Sequence, residues 1–327
     1  MPELLGKKVG PVGYGLMSLT WTPTPPSYEE SIRVMKIALE QGANLWNGGE
    51  IYGPPEANSL QLLNAYFTRY PEDADKVVLS IKGAKGEVGY VGTEDGVRAS
   101  VENCVRILDG KKKIDIFECA RVDPNIPIEE TMKFLLKLRD EGLIGGIGLS
   151  EPSASTIRRA AKVAPIASVE IELSLWSTEP MTNGILEACG ELNIPVTAYS
   201  PLNKGFLTGQ LRSFDDIPEG DFRRFFPRFQ PDVFDLNLKL VDELDHIAKR
   251  KGVPLAQVAI SWVQQQGKEF NCTIIPIPGS TKEQRIIENS HVVTLTDSEL
   301  ADIKGLLDKV TVAGERYPAA ILAECEG

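Results

Sequence analysis

The stretch "KIDIFECARVDPNIPIEETMKFLLKLRDEGLIGGIGLS", residues 113–150, holds one full round of the pattern that decides the fold. It opens on a short β-branched run, continues after Pro127 as an amphipathic stretch of helical spacing, and closes on a second short apolar run. Runs of this kind read as strand, helix and strand. Continuous apolar strands separated by helices imply a parallel sheet covered by helices.

The same alternation extends in both directions. Upstream lie "VGPVGYGLM" (9–17), "NLWN" (44–47) with a helix from about Ala57, and "KVVLSIK" (76–82) with a helix from about Glu94; downstream lie "ASVEI" (167–171), "PVTAYS" (195–200) and "CTIIPIP" (272–278). The first helix carries its own start signal, Ser27 with Glu30 three residues later, and its own stop at Gly42, with Ile32, Met35, Ile37, Ala38 and Leu39 on its inner face. Eight such units over residues 1–327 fit a single closed (β/α)8 TIM barrel. A doubly wound sheet is the rival, but no GxGxxG follows an early strand and opens a helix. An N-terminal hairpin, a long aromatic and basic segment after strand 7 (203–236) and an extra C-terminal helix from Thr296, with Glu299 closing a capping box, complete the expected architecture.

Composition narrows the function. The chain has 46 acidic and 35 basic residues, a net charge of -11, which argues against attraction to nucleic acid or anionic membrane. Five scattered cysteines form neither a metal-binding spacing nor a disulfide framework. No segment approaches a membrane span, and the N-terminus lacks the apolar run of a signal peptide. A cytoplasmic enzyme acting on a small molecule is the expectation, with its oligomeric state open.

In (β/α)8 barrels the active site lies at the C-terminal ends of the strands. Those ends offer Leu16 and Met17, Asn47 with Tyr52 beyond a break at Gly48-Gly49, Lys82, Ala120 and Arg121, Ser150 and Glu151, Glu170, Tyr199 and Ser200, and Ile277 to Thr281. A phenol and an ammonium at neighbouring strand ends make a proton-donor pair, because the cation favours the phenolate. Tyr52 and Lys82 are that pair.

With these residues in place, the chain resembles the aldo-keto reductases. "GLSE" (148–151), "SLW" (174–176), "YSPLNKGFLTG" (199–209) and "IPIPGSTKEQRIIEN" (275–289) carry the resemblance along nearly the whole length. "GKKVGPVGYGLMSLTW", "CARVDPNIPIE" (119–129) and "APIASVEIELSLWS" resemble the fungal pyridoxal reductase branch. The resemblance implies NADPH as cofactor and a carbonyl substrate, pyridoxal in that branch. It implies that Ser280, Thr281, Lys282 and Arg285 hold the 2'-phosphate, with Gly279 beside them, and that Glu288 and Asn289 meet adenine. It further implies that Tyr199 stacks on nicotinamide near Ser200 and Leu202, and that Ser150, Glu151 and Glu170 face the carboxamide.

Two catalytic positions depart from the family. Asn47 stands where the resemblance implies an aspartate paired with the lysine, and Ala120 where it implies a histidine. Loss of the aspartate should lower the Lys82 pKa, leaving either a charged lysine that acidifies Tyr52 or a neutral one that does not help. Glu118, two residues before Ala120 and on the same face, either supplies the missing charge or points to a polar barrel floor. The altered pair keeps other readings open: a different carbonyl substrate, acid-base chemistry without reduction, or an NADPH-binding regulatory subunit. Arg223, Arg224 and Arg228, with Phe222, Phe225, Phe226 and Phe229, read as a substrate lid or as a solvated loop anchored by aromatics. Cys119, His246 and His291 read as packing, structural or exposed residues.

Overall fold

A computed structural model describes every residue except Val88 and Glu326. The chain opens with a hairpin of β1 (Glu3–Leu4) and β2 (Lys7–Lys8). Eight parallel strands follow in barrel order: β3 (Tyr14–Gly15), β4 (Leu45–Gly49), β5 (Val78–Gly83), β6 (Ile114–Cys119), β7 (Ile144–Ser150), β8 (Ile166–Glu172), β9 (Val196–Tyr199) and β10 (Ile274–Pro276). The ends of this curled sheet meet, since the Gly13 N–H donates to the Pro276 carbonyl at 2.9 Å and the Gly15 N–H to that of Pro278 at 3.3 Å. The expected (β/α)8 barrel is present.

Helices α1 (Met17–Thr20), α2 (Tyr28–Glu40), α3 (Ser59–Arg69), α4 (Glu94–Leu108), α5 (Ile128–Asp140), α6 (Ala154–Ala161) and α7 (Ile185–Glu191) lie between the first seven barrel strands. After β9 come short 3-10 turns between Asn203 and Phe229, then α8 (Pro231–Lys251) and α9 (Leu255–Gln265); after β10 come α10 (Glu283–Asn289), α11 (Asp297–Leu307) and α12 (Ala319–Leu322). Reciprocal capping boxes at Ser27/Glu30 and Thr296/Glu299 start α2 and α11, each satisfying backbone N–H groups the helix leaves unpaired. The third helix begins two residues later than the sequence suggests, because Asn58 caps it. The first barrel strand is only two residues long, although the apolar run around it is nine.

Alternation along the strands builds two cores. Trp46, Leu79, Ile81, Phe117 and Ile147 face the helices, while Leu45, Val78, Ile116, Ile275 and Ile277 fill the lower barrel with Leu4 and Val9 of the hairpin segment. Side chains two positions further along the inward faces are polar: Asn47, Ser80 and Glu118, then Lys82. Register places Lys82 beside Glu118, Ser150 beside Glu170, and Glu172 beside Tyr199. Apolar floor and polar upper layer therefore follow from one period of two.

Candidate active site

Strand β4 does not break at Gly48-Gly49; both residues are buried within it, and the chain turns only afterwards. The Tyr52 N–H donates to the Gly49 carbonyl at 3.2 Å, and the Tyr52 carbonyl accepts from Thr20 Oγ1 at 2.7 Å. A Cβ on Gly49 would sit 3.2 Å from the Tyr52 ring, so that glycine lets the ring lie against the strand. Gly53 holds φ +111°, and a Cβ there would meet the Thr20 carbonyl at 2.9 Å. Gly53→Ala is expected to cost about 1–3 kcal/mol, read as a lower urea midpoint, because it adds both backbone strain and a clash. An unchanged midpoint would refute this account of the turn. Trp21, 47% exposed, stacks on the Tyr52 ring with centroids 5.8 Å apart.

Behind the ring, the Lys82 ammonium lies 5.6 Å from its centroid, buried. The ammonium donates to Asn47 Oδ1 at 3.0 Å and makes a direct ion pair with Glu170 from across the barrel. Asn47 Nδ2 donates to Glu170 Oε2 at 2.6 Å, which closes a three-residue ring. Glu118 stands further off, 3.5 Å from the ammonium, accepting from Ser80 Oγ at 3.2 Å.

This arrangement corrects one expectation and bears on the two readings of Glu118. Lys82 does not lose basicity with Asn47 in place: burial pulls its pKa down, but the negative charge around it, Glu170 first, carries it above the ordinary lysine value. Glu118 is not the nearest negative charge either. Burial first, then repulsion from Glu170, pushes its carboxyl well above the usual range, and its Oε2 has no hydrogen-bond partner. Tyr52 is raised by burial and only partly drawn back by Lys82, so the phenol keeps its proton at neutral pH. Ala120, 1% exposed, brings no polar atom to this wall.

The next layer toward the mouth is also built from paired charges. Glu151 leaves β7 with φ +52° and Ser200 follows β9 with φ +49°, left-handed conformations that cluster where strand ends carry function. Glu151 accepts from the Glu172 N–H at 2.8 Å and from Arg316 at 2.6 Å. Burial opposes ionisation of Glu151, and the Arg316 guanidinium overcomes it, holding that carboxyl below its usual range. Lys204 donates to Glu172 at 2.9 Å. The hydroxyls of Tyr199 and Tyr317 lie 3.2 Å apart, and Arg121, in the same wall, donates to the Ala120 carbonyl at 2.6 Å. Both Glu151 oxygens and the Glu170 carboxylate are thus engaged within the protein. Of the three residues expected at the carboxamide, Ser150 has the least committed side chain, with a 3.4 Å contact from Arg121.

A different chemistry marks the loop after β10. Tyr14 donates to the Ser280 carbonyl at 2.7 Å, and Ser280 Oγ accepts from the Lys282 N–H at 3.1 Å. Thr281 is partly exposed, Lys282 and Arg285 are exposed, and Arg285 reaches Gln210 of the long segment. Asn289 is buried one turn beyond Arg285, beside Glu288. Two cations and two hydroxyls on one loop form a donor set that fits a phosphate dianion. Leu202, buried, and partly exposed Ser200 follow β9, the strand beside β10.

The segment read as a lid or as a loop held by aromatics is anchored. Arg228 is buried and donates to the Trp176 carbonyl at 2.5 Å, Ser177 Oγ at 2.8 Å and the Gly314 carbonyl at 3.1 Å. Arg223 pairs with Asp221, and Arg224 donates to the Ile217 carbonyl. Phe229 is buried and Phe226 meets the Tyr317 ring edge-on, while Phe225 is 73% exposed. These arginines hold the loop rather than await a ligand. Cys119 packs, its thiol pushed up to about 12 by burial, and His246 and His291 are exposed. Among the described residues no cluster of potential ligands could hold a metal, and no helix is long and apolar enough to cross a membrane.

Sequence reading missed Glu172, Arg316 and Tyr317 and gave Arg121 no role. Glu172 was within reach, since it follows Glu170 by two on the same strand; nothing local to residues 316 and 317 points to a partner so far away in the chain.

An eight-stranded parallel barrel with a tyrosine, a buried lysine and a phosphate-suited loop at its C-terminal mouth defines a class of oxidoreductase. The Aldo/keto reductase family model matches residues 11–308, and the chain belongs to that family. It is 43% identical to a probable pyridoxal reductase 2 of Schizosaccharomyces pombe, over 97% of both chains. It is 38% identical to a putative pyridoxal reductase of Saccharomyces cerevisiae, covering 94% of this chain and 96% of the other. A glycerol dehydrogenase from Gluconobacter oxydans shares the fold, with a TM-score of 0.83 at 24% identity over 96% of each chain.

Proposed function

We propose that the chain, acting as one domain over residues 1–327 in the cytoplasm, is an NADPH-dependent reductase whose substrate is an aldehyde, specifically pyridoxal. The observation that carries this reading is a protonated phenol, Tyr52, set against a buried charged ammonium, Lys82, at the barrel mouth. Bound, the dinucleotide supplies the hydride. Tyr52 gives its proton to the carbonyl oxygen as negative charge develops there, and Lys82 stabilises the phenolate left behind. Lys282 and Arg285, with Ser280 and Thr281, grip the 2'-phosphate, and Tyr199 offers a ring to the nicotinamide. The stacked Trp21 and Tyr52 rings give a flat wall suited to an aromatic aldehyde. The two fungal relatives named as pyridoxal reductases support the choice of substrate.

Removing the two loop cations should separate cofactors. K282A/R285A is expected to raise Kd for NADPH by roughly tenfold or more while leaving NADH within about twofold, because each charge-assisted hydrogen bond contributes about 1.5–3 kcal/mol. Fluorescence titration of both nucleotides checks it; equal weakening of the two would remove the assignment of this loop to the phosphate.

A further inference from the structure

Asn47 removes a carboxylate from the second barrel strand, and Glu170 places one on the sixth. The two side chains touch at 2.6 Å in the centre of the barrel, with the same ammonium against both. We propose that Glu170 is a positioning residue that keeps Lys82 charged and aimed at Tyr52, with Asn47 as the amide that locks the pair in place. This rests on the reductase reading above for its kinetic consequence, but the placement of charge stands on geometry alone.

Three observations favour Glu170 over Glu118. Glu170 lies closer to the ammonium than Glu118, which is 3.5 Å away. Both Glu170 oxygens have partners, Lys82 on one and Asn47 on the other, whereas Glu118 Oε2 has none. Burial and the charge of Glu170 also push the Glu118 carboxyl well above the usual carboxylate range, which weakens it as a counter-ion. The hydrogen-bond directions agree: an amide at 47 can accept from Lys82 and donate to Glu170 together, which a carboxylate at 47 beside a second carboxylate cannot do.

The charge is therefore exchangeable between the two positions. In N47D/E170Q a carboxylate at 47 accepts from the ammonium and from the new amide at 170, so the ring is the same with one hydrogen bond reversed. The single variants break it in opposite ways. E170Q leaves two amides and moves the burden to Glu118; N47D sets two carboxylates against one lysine.

The test is a double-mutant cycle with two readouts. Thermal unfolding of the cofactor-free protein should show lower midpoints for N47D and E170Q and recovery in the double variant. With NADPH and pyridoxal, kcat should fall about tenfold in E170Q, by more than in E118Q, and return toward wild type in N47D/E170Q, with KM for NADPH little changed. Additive losses in the double variant, or a larger loss in E118Q than in E170Q, would overturn the assignment. If E170Q does not fold, N47D/E170Q decides alone, because the inference requires it to fold and a failure to do so refutes it. Recovery of stability with no turnover by any variant, wild type included, would retain the placement of charge and reject the reductase reading.

Discussion

Tyr52→Phe is expected to lower kcat for NADPH-linked reduction of pyridoxal by roughly 10²–10⁴-fold, the range of a positioned general acid. The change deletes one oxygen and keeps the ring, so the Trp21 stack, the turn at Gly53 and the cofactor loop stay as they are. Kd for NADPH should therefore move little. The drop belongs to the chemical step because the turn that carries Tyr52 is held by its backbone, through Thr20 and Gly49. Loss of near-ultraviolet NADPH absorbance at wild-type rates in the phenylalanine variant would show that another group delivers the proton.

Lys82→Met carries the largest expected cost in stability. It leaves Glu170 and Glu118 buried side by side without the cation that lies against both, and breaking a buried pair from one side costs about 3–5 kcal/mol. The penalty has a definite pH dependence. Buried carboxyls without a cation have folded-state pKa values raised above their unfolded ones, so their contribution is fully present below about pH 4.3 and is lost as pH rises. The deficit against wild type should be small near pH 4 to 5 and largest at neutral pH and above. Urea midpoints across that range test this, and a deficit independent of pH would mean that lost packing dominates. Activity should fall too, since the Lys82 ammonium is the charge set against the Tyr52 ring.

Periodicity carried the fold. Helix starts written as Ser27-x-x-Glu30 and Thr296-x-x-Glu299 are local, and the inward and outward sets on each strand follow from a period of two. The points that escaped were those where chain segments far apart meet. Gly48-Gly49 looks like a break because glycine usually ends a strand, yet pairing with Ile81 and Lys82 of β5 keeps it extended. The basicity of Lys82 escapes a local reading because Glu170 sits 88 residues along the chain from it, and only closure of the barrel brings the two together. The arginines of 223–228 looked available because nothing nearby in sequence accounts for them all. The acceptors of Arg228 lie on Trp176, Ser177 and Gly314.

The two ends of the polypeptide are not equivalent for anyone handling the protein. Met1 is 88% exposed beside the hairpin that plugs the barrel's lower end, remote from Tyr52. The last residue, Gly327, accepts a hydrogen bond from Ser153, just past the end of β7, and the stretch leading to it is fastened by Asn237 to Ala313 and by Arg316 to Glu151. A purification handle or fluorescent fusion belongs at the front. Attached at the back, it would pull on the wall of charges around the mouth, and a truncation before residue 316 would strip the buried Glu151 carboxylate of the guanidinium that pairs with it.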